Sequence, residues 1–310
     1  MSKFPTHKIA IIGAGAVGAT SAYAAAIRNI AAQILLIDVN EKKEEGEVMD
    51  IRDGLCFTET GGIIGANYPD AADADVIIIT AGLPQKPGET RLDLITKNKK
   101  ILEEIFAGIG KLRDDTIVVI VANPVDILTY LAQKISGLPE HQVFGTGTTL
   151  DSARLQIAIS QALEVYPQSV QGFVLGEHGD SEFVAWSTVT VGGIPASDIK
   201  ALSPALKKKI EEQVRNKAYE IISRKGATFY GIALVVADII ESILFDQKKI
   251  LPITTHLVRC NGVSGVCLGS PAIIGRHGIL GHWPVKLHSD ESKRFQNSAK
   301  IIGKIIKSIE

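Results

Sequence analysis

The 310-residue chain is 45% hydrophobic, enough to bury a large core in one big domain or in two lobes that share an interface. Its 33 Lys and Arg stand against 34 Asp and Glu, and a formal net charge of -1 removes any broad attraction to nucleic acid or an anionic membrane. Cys56, Cys260 and Cys267 lack CxxC spacing, Met1 to Pro5 lacks the apolar core of a signal peptide, and no apolar run nears the ~18 residues of a membrane span, so reduced core or interface thiols in a cytoplasmic protein are expected.

Lys8 to Ile12 is a short apolar run followed at once by Gly13-Ala14-Gly15-Ala16-Val17-Gly18 and an alanine-rich stretch to Ile27. That order predicts a buried strand, a tight turn and a helix. Glycines at this spacing permit the turn, let backbone approach a pyrophosphate at the helix N-terminus, and let the helix pack closely on the strand. Gln33 to Ile37 predicts a second parallel strand ending at Asp38, where a carboxylate would meet the adenosine ribose hydroxyls and repel a 2′-phosphate. NAD is therefore favoured over NADP. Glu41 to Met49 reads as a charged, solvated helix.

Two more apolar runs, Asp75 to Ile79 and Thr116 to Val121, predict strands that end in Thr80-Ala81-Gly82 and Ala122-Asn123-Pro124. Strands alternating with helices predict a doubly wound parallel sheet of Rossmann type over 1–145, with Gly13 to Gly18, Asp38, Thr80 to Gly82 and Val121 to Asn123 on one crevice at the strands' carboxyl ends. Between two of these strands, Leu83 to Asp93 is punctuated by proline and glycine and reads as a lid that carries Arg91.

From Thr146 the rhythm changes to that of an α+β substrate domain over 146–310. Thr148 to Leu155 opens a helix on which Asp151 and Arg154 share a face, which taken alone is a surface ion pair. Val174 to Glu182 sets His178 between glycines, and Ser187 to Val191 with Gly192-Gly193 predicts an antiparallel strand and turn. A helical pattern runs from Pro204 to Lys225, pauses at Gly226 and resumes through Ala227 to Phe245. Ile250 to Val258 and Val263 to Ile274 predict strands, and Ser289 to Ile309 an amphipathic helix with Phe295, Ile301, Ile302, Ile305 and Ile306 as apolar contacts. The other histidines lack HxxxH or HExxH spacing, and no metal site is expected.

Taken together, GAGAVG (13–18), Asp38, QKPGETRLDL (85–94), ANPVD (122–126), LDSAR (150–154), GEHGDSE (176–182) and KGATFYG (225–231) resemble the L-lactate/malate dehydrogenase family, most closely its bacterial-type L-lactate dehydrogenases. The resemblance implies a cytoplasmic, NAD-dependent 2-hydroxy acid dehydrogenase, a homotetramer that takes a small-molecule substrate. It implies His178 as proton donor and acceptor, Asp151 as its orienting acid, Arg154 as a clamp on the substrate carboxylate and Arg91 as the group that polarises the carbonyl. Asn123 is implied near carbonyl and nicotinamide, and Thr228 in the pocket wall. Those intact residues argue against a catalytically silent dinucleotide-binding or structural protein.

Within that resemblance Gln85 faces the variable end of the 2-oxo acid, where malate dehydrogenases place an arginine. A second carboxylate would be buried there against a neutral amide, so pyruvate is expected ahead of oxaloacetate, with a broader range of 2-oxo acids as the alternative. One departure concerns fructose 1,6-bisphosphate, which many bacterial members bind through an arginine and a histidine. Gln156 and Gln171 stand at those positions and supply no charge, so no activation is expected.

Overall fold

The computed structural model describes residues 7–58, 61–84, 88 and 90–309. The chain runs β1 (Lys8–Ile12), α1 (Ala16–Ile27), β2 (Gln33–Ile37), α2 (Glu41–Asp53), β3 (Gly62–Gly65), β4 (Val76–Ile79), α3 (Arg91–Ile109), β5 (Ile117–Ile120), α4 (Val125–Ile135) and β6 (Val143–Gly145). It continues through α5 (Thr149–Leu163), β7 (Val170–Leu175), β8 (Phe183–Val191), β9 (Ile194–Pro195), α6 (Pro204–Lys225), α7 (Tyr230–Leu244), β10 (Lys249–His256), β11 (Cys267–Gly275), β12 (Gly278–His282) and α8 (Ser289–Ile309).

The main sheet has the order β12-β11-β10-β6-β5-β4-β1-β2-β3. From β3 to β6 the strands are parallel, and the chain leaves β1 in both directions, towards β2 on one side and β4 on the other. A crevice opens where the order reverses, outside the carboxyl ends of β1 and β4. These strands are continuously apolar because helices cover both faces. Residues on one face of the sheet, such as Ala10, Ile12, Ile77, Ile79, Val118 and Ile120, pack with α3, α4 and α8. Their alternating neighbours on the other face, such as Ile9, Ile11, Val76, Ile78 and Val119, pack instead with α1, α2 and α7.

A separate apolar cluster, including Leu155, Val174, Val184, Ile210 and Val214, joins α5 and α6 to the small antiparallel sheet β7-β8-β9. The second half is not confined to that cluster, however. β10 pairs antiparallel with β6 through Thr254 and Gly145, so β10 to β12 extend the first half's sheet. The seven residues from Gly176 to Glu182 connect β7 to β8, and Gly176 and Gly269 exchange both backbone hydrogen bonds at 3.0 Å. A Cβ at Gly269 would lie 2.6 Å from the Gly176 carbonyl oxygen, so only glycine admits this docking of the His178 loop on β11.

Several expectations change. The helix read as a solvated face contains Glu44, which is buried because its Oε2 accepts the Asp38 N–H at 2.9 Å. The strand expected from Val263 begins only at Cys267, since Cys260 and Val263 close a turn first. The helix expected to resume through Ala227 restarts at Tyr230. Cys267 is buried and Cys260 partly so, but Cys56 is exposed and belongs to no core. β3, β6 and β12 were not anticipated at all: β3 and β6 are short strands whose partners lie more distantly in the chain, and β12 is a short edge strand folded back on β11.

At the sheet's opposite end, Asp75 accepts the Lys8 N–H at 2.8 Å and is bridged by Arg113 at 2.8 Å and Arg276 at 2.7 Å. Burial opposes its charge, yet that N–H and the two guanidiniums hold its carboxyl below the ordinary value. The bridge ties the β11–β12 turn to the first half of the chain. Urea unfolding of Asp75→Asn at neutral pH is expected to show a loss of about 2 kcal/mol, the worth of hydrogen bonds to a charged group. A depressed carboxyl stabilises above its unfolded value of about 3.9 and stops doing so as pH falls through the folded one, so wild type and variant should converge in acid. A gap that persists in acid would assign the effect to packing.

Candidate active site

β1 ends in a turn that only glycines permit. Gly13 has φ +106°, and a Cβ there would lie 2.7 Å from the Ala81 nitrogen. A Cβ on Gly18 would fall 1.8 Å from the Gly13 carbonyl oxygen, so α1 approaches β1 only because that residue has none. Gly15, by contrast, has no protein atom within 4 Å of the place a Cβ would occupy. Its bareness therefore leaves the backbone open on the crevice side. Gly15 caps α1 without a side-chain hydrogen bond, and the first N–H groups of the helix face outward with the positive end of its dipole.

Asp38 stands beside this turn, its Oδ2 accepting the Ala14 N–H at 2.6 Å and its Oδ1 the Asn40 N–H at 2.9 Å. Thr80 Oγ1 donates to the Gly13 or Ile12 carbonyl, at 2.9 and 3.0 Å, and the Ala81 N–H bonds the Ile12 carbonyl. Gly82 lies against Ala122, while Val121 is buried and Asn123 exposed at the end of β5. Gly13, Ala14, Gly18, Asp38, Thr80 and Ala81 thus meet at one turn, with Gly82 against Ala122 next to it. An open glycine turn, an uncapped helix start and a strand-end acid fit the pyrophosphate and ribose of NAD.

The catalytic candidates also converge. His178 Nδ1 lies 2.7 Å from Asp151 Oδ2, and Arg154 Nη1 donates to Asp151 Oδ1 at 2.8 Å. The pair expected to be a surface feature if alone is instead buried: Asp151 is 1% exposed and carries both cations on one carboxylate. Burial would discharge the imidazole, but Asp151, Glu182 and Asp126 together hold His178 up at about 9. Asp151 is held low by His178 and Arg154 against its own burial. Glu182, pushed to about 8 by burial and by the Asp151 charge, brings Oε2 to 3.9 Å from His178 Nδ1.

Arg91, expected on a lid loop, is the first residue of α3, capped by Thr90. Its Nη2 is bonded to Glu177, which is buried. Ser181 donates to Glu177 Oε2 at 2.5 Å, and the Glu177 N–H donates to Ser298 on α8 at 2.7 Å. Asn98 on α3 donates to the Asn123 carbonyl at 2.9 Å. Thr228 lies half-buried in the link before α7. Gln85 falls outside the described residues, as do Lys86, Pro87 and Glu89. Of the two positions without the bisphosphate ligands, Gln156 is half-buried and Gln171 exposed, its Nε2 on the Gln168 carbonyl.

Sequence reasoning passed over Glu177, Glu182 and Asp126, although all three lie inside motifs it singled out. Their signal was an acid within an otherwise apolar or glycine-rich stretch. Asp151, His178 and Glu182 present ligand atoms within 4.8 Å of one another, but Asp151 is already committed to the imidazole and to Arg154.

Comparison with known proteins agrees with this geometry. Residues 7–145 match the lactate/malate dehydrogenase NAD binding domain, and residues 148–310 match the lactate/malate dehydrogenase alpha/beta C-terminal domain. Similar curated proteins include L-lactate dehydrogenase of Thermoanaerobacter sp. (strain X514), 43% identical over 98% of this chain and 99% of the relative. Another is L-lactate dehydrogenase of Limosilactobacillus fermentum, 43% identical over 99% of this chain and 98% of its own. Among solved structures, the minor L-lactate dehydrogenase of Enterococcus mundtii in its ligand-bound form superposes with a TM-score of 0.95 at 38% identity, covering 98% of this chain and 99% of that one. With both halves of the chain matched and a histidine, an aspartate and an arginine assembled beside a dinucleotide crevice, this chain belongs to the lactate/malate dehydrogenase family.

Proposed function

We propose that this protein is an L-lactate dehydrogenase, reducing pyruvate reversibly with NADH. The observation that carries the reading is the buried Asp151 carboxylate shared between His178 and Arg154. With Nδ1 engaged by Asp151, Nε2 is the nitrogen that delivers a proton to the substrate carbonyl oxygen and takes it back in the reverse direction. Arg154, fixed along one edge by Asp151, offers its remaining N–H groups to the substrate carboxylate, a planar geometry lysine cannot reproduce. Arg91 polarises the carbonyl where negative charge grows, and Asn123 and Thr228 complete the pocket. Gly13 to Gly18 and Asp38 would hold the dinucleotide, which when bound would supply the hydride from its nicotinamide.

Gln85 sets the substrate in this reading: a neutral amide suits the methyl group of pyruvate and leaves a dicarboxylate's second charge unpaired. A homotetramer is also part of the proposal. Phe57 is 90% exposed, and with Tyr23 and Ile27 it lines a hollow of about 390 Å³, an apolar surface suited to burial between subunits. Free cysteines suit a cytoplasmic location.

Steady-state NADH oxidation over a panel of 2-oxo acids tests the substrate. Pyruvate is expected to give the highest kcat/KM; oxaloacetate turned over as well or better would reassign the protein to the malate side of the family. Adding fructose 1,6-bisphosphate is expected to leave the KM for pyruvate unchanged, since Gln156 and Gln171 carry no charge, and a marked fall would contradict that.

A further inference from the structure

Asp126 takes no part in the steps above. It is the second residue of α4, 2% exposed, and its helical neighbours Val125, Ile127 and Leu128 are buried apolar residues. A carboxylate withdrawn from water at such a place is costly unless its oxygens are hydrogen-bonded. Both are: Oδ2 accepts the main-chain N–H of His178 at 2.9 Å, and Oδ1 accepts the Thr254 hydroxyl on β10 at 2.5 Å. Three residues earlier lies Asn123, whose Oδ1 accepts the Val125 N–H at 3.2 Å and whose carbonyl is held by Asn98. A single tight segment therefore presents Asn123 to the crevice and grips His178 from behind.

We propose that Asp126 is a positioning residue for proton transfer, its charged carboxylate fixing the His178 main chain relative to Asn123 and strengthening the hold of the imidazole on its proton. The proposal rests on the reading of His178 as the proton donor. The groups around it are His178, with Glu177 and Glu182 on the same loop, Asp151 and Arg154 on α5, Thr254 on β10 and Cys267 on β11. Burial pushes the Asp126 carboxyl up to about 6, while its two hydrogen bonds and the charge of His178 pull it down. It is thus ionised at neutral pH, and its charge is one of three that oppose desolvation of the imidazole.

Asp126→Asn keeps the shape and removes the charge, since the amide oxygen can accept the His178 N–H while the amide nitrogen donates to Thr254. Pyruvate reduction is expected to slow about tenfold in kcat, the kinetic equivalent of one charge-assisted hydrogen bond, with NADH affinity unchanged. The alkaline limb should move down by about one unit. At a pH between the two limbs, lactate oxidation should retain more of its rate than pyruvate reduction, because the reverse reaction needs the unprotonated ring. A structural lesion would depress both directions together. Thr254→Val, which strips one hydrogen bond from the carboxylate and leaves His178 its own, is expected to move the limb the same way by less. Limbs unmoved in both variants, or equal losses in both directions, overturn the proposal. A wild-type protein that does not reduce pyruvate would instead overturn the functional reading on which it rests.

Discussion

A His178→Asn variant is expected to bind NADH as wild type does and to lose pyruvate reduction by about 10²–10⁴-fold in kcat, the usual worth of a positioned proton donor. Asparagine is close in size to the first part of the histidine side chain, and its amide can still donate towards Asp151. What it lacks is a proton to give at neutral pH. The dinucleotide rim is built from Gly13 to Gly18, Asp38, Thr80 and Ala81, none of which bonds the His178 ring, so cofactor binding has no reason to change. The measurement is paired: NADH titration by fluorescence for binding, and NADH oxidation with saturating pyruvate for turnover. Turnover at the wild-type level would remove His178 from the mechanism. Loss of NADH binding together with turnover would point to a collapsed loop, which the double hydrogen bond between Gly176 and Gly269 argues against.

The parts legible in the sequence were those whose physics is local. Lys8 to Ile12 and Gln33 to Ile37 read as strands because an unbroken apolar run flanked by turn residues has little else to become, and both form at the expected residues. The glycines of the first turn were legible because a missing Cβ is itself the signal. Asp151 and Arg154 share a helix, so spacing alone put them on one face. Asp126 and Glu177 were not legible in this way. Each has partners from distant segments: Asp126 is held by residues 52 and 128 positions away, and Glu177 by Arg91 and Ser298. The continuity of the main sheet was hidden for the same reason. It depends on the register that pairs Thr254 with Gly145, a contact that no local pattern in either strand announces.

Asp151→Asn should have the other large effect, and its sign follows from which state of His178 works. Reduction needs the protonated imidazole, so in wild type it persists below a pKa of about 9 and fails above it. Burial alone would drive that value below the ordinary 6.5; the Asp151 charge is the largest force against it, with Glu182 and Asp126 behind. With an amide in place of the carboxylate, the alkaline limb is expected to fall by about 1–3 units, the usual span for loss of a close opposite charge. A second loss accompanies the first. The carboxylate satisfies two donors, His178 Nδ1–H and an Arg154 N–H, whereas an asparagine has one oxygen and must turn its NH₂ towards the other. Arg154 is then released from its fixed edge, and the KM for pyruvate should rise as well. Full pH profiles of kcat and kcat/KM separate the two: the limb reports the proton on His178, and the plateau of kcat/KM reports the clamp on the substrate carboxylate. A limb that stays near 9 in Asp151→Asn would mean that Glu182 and Asp126 hold the proton without it.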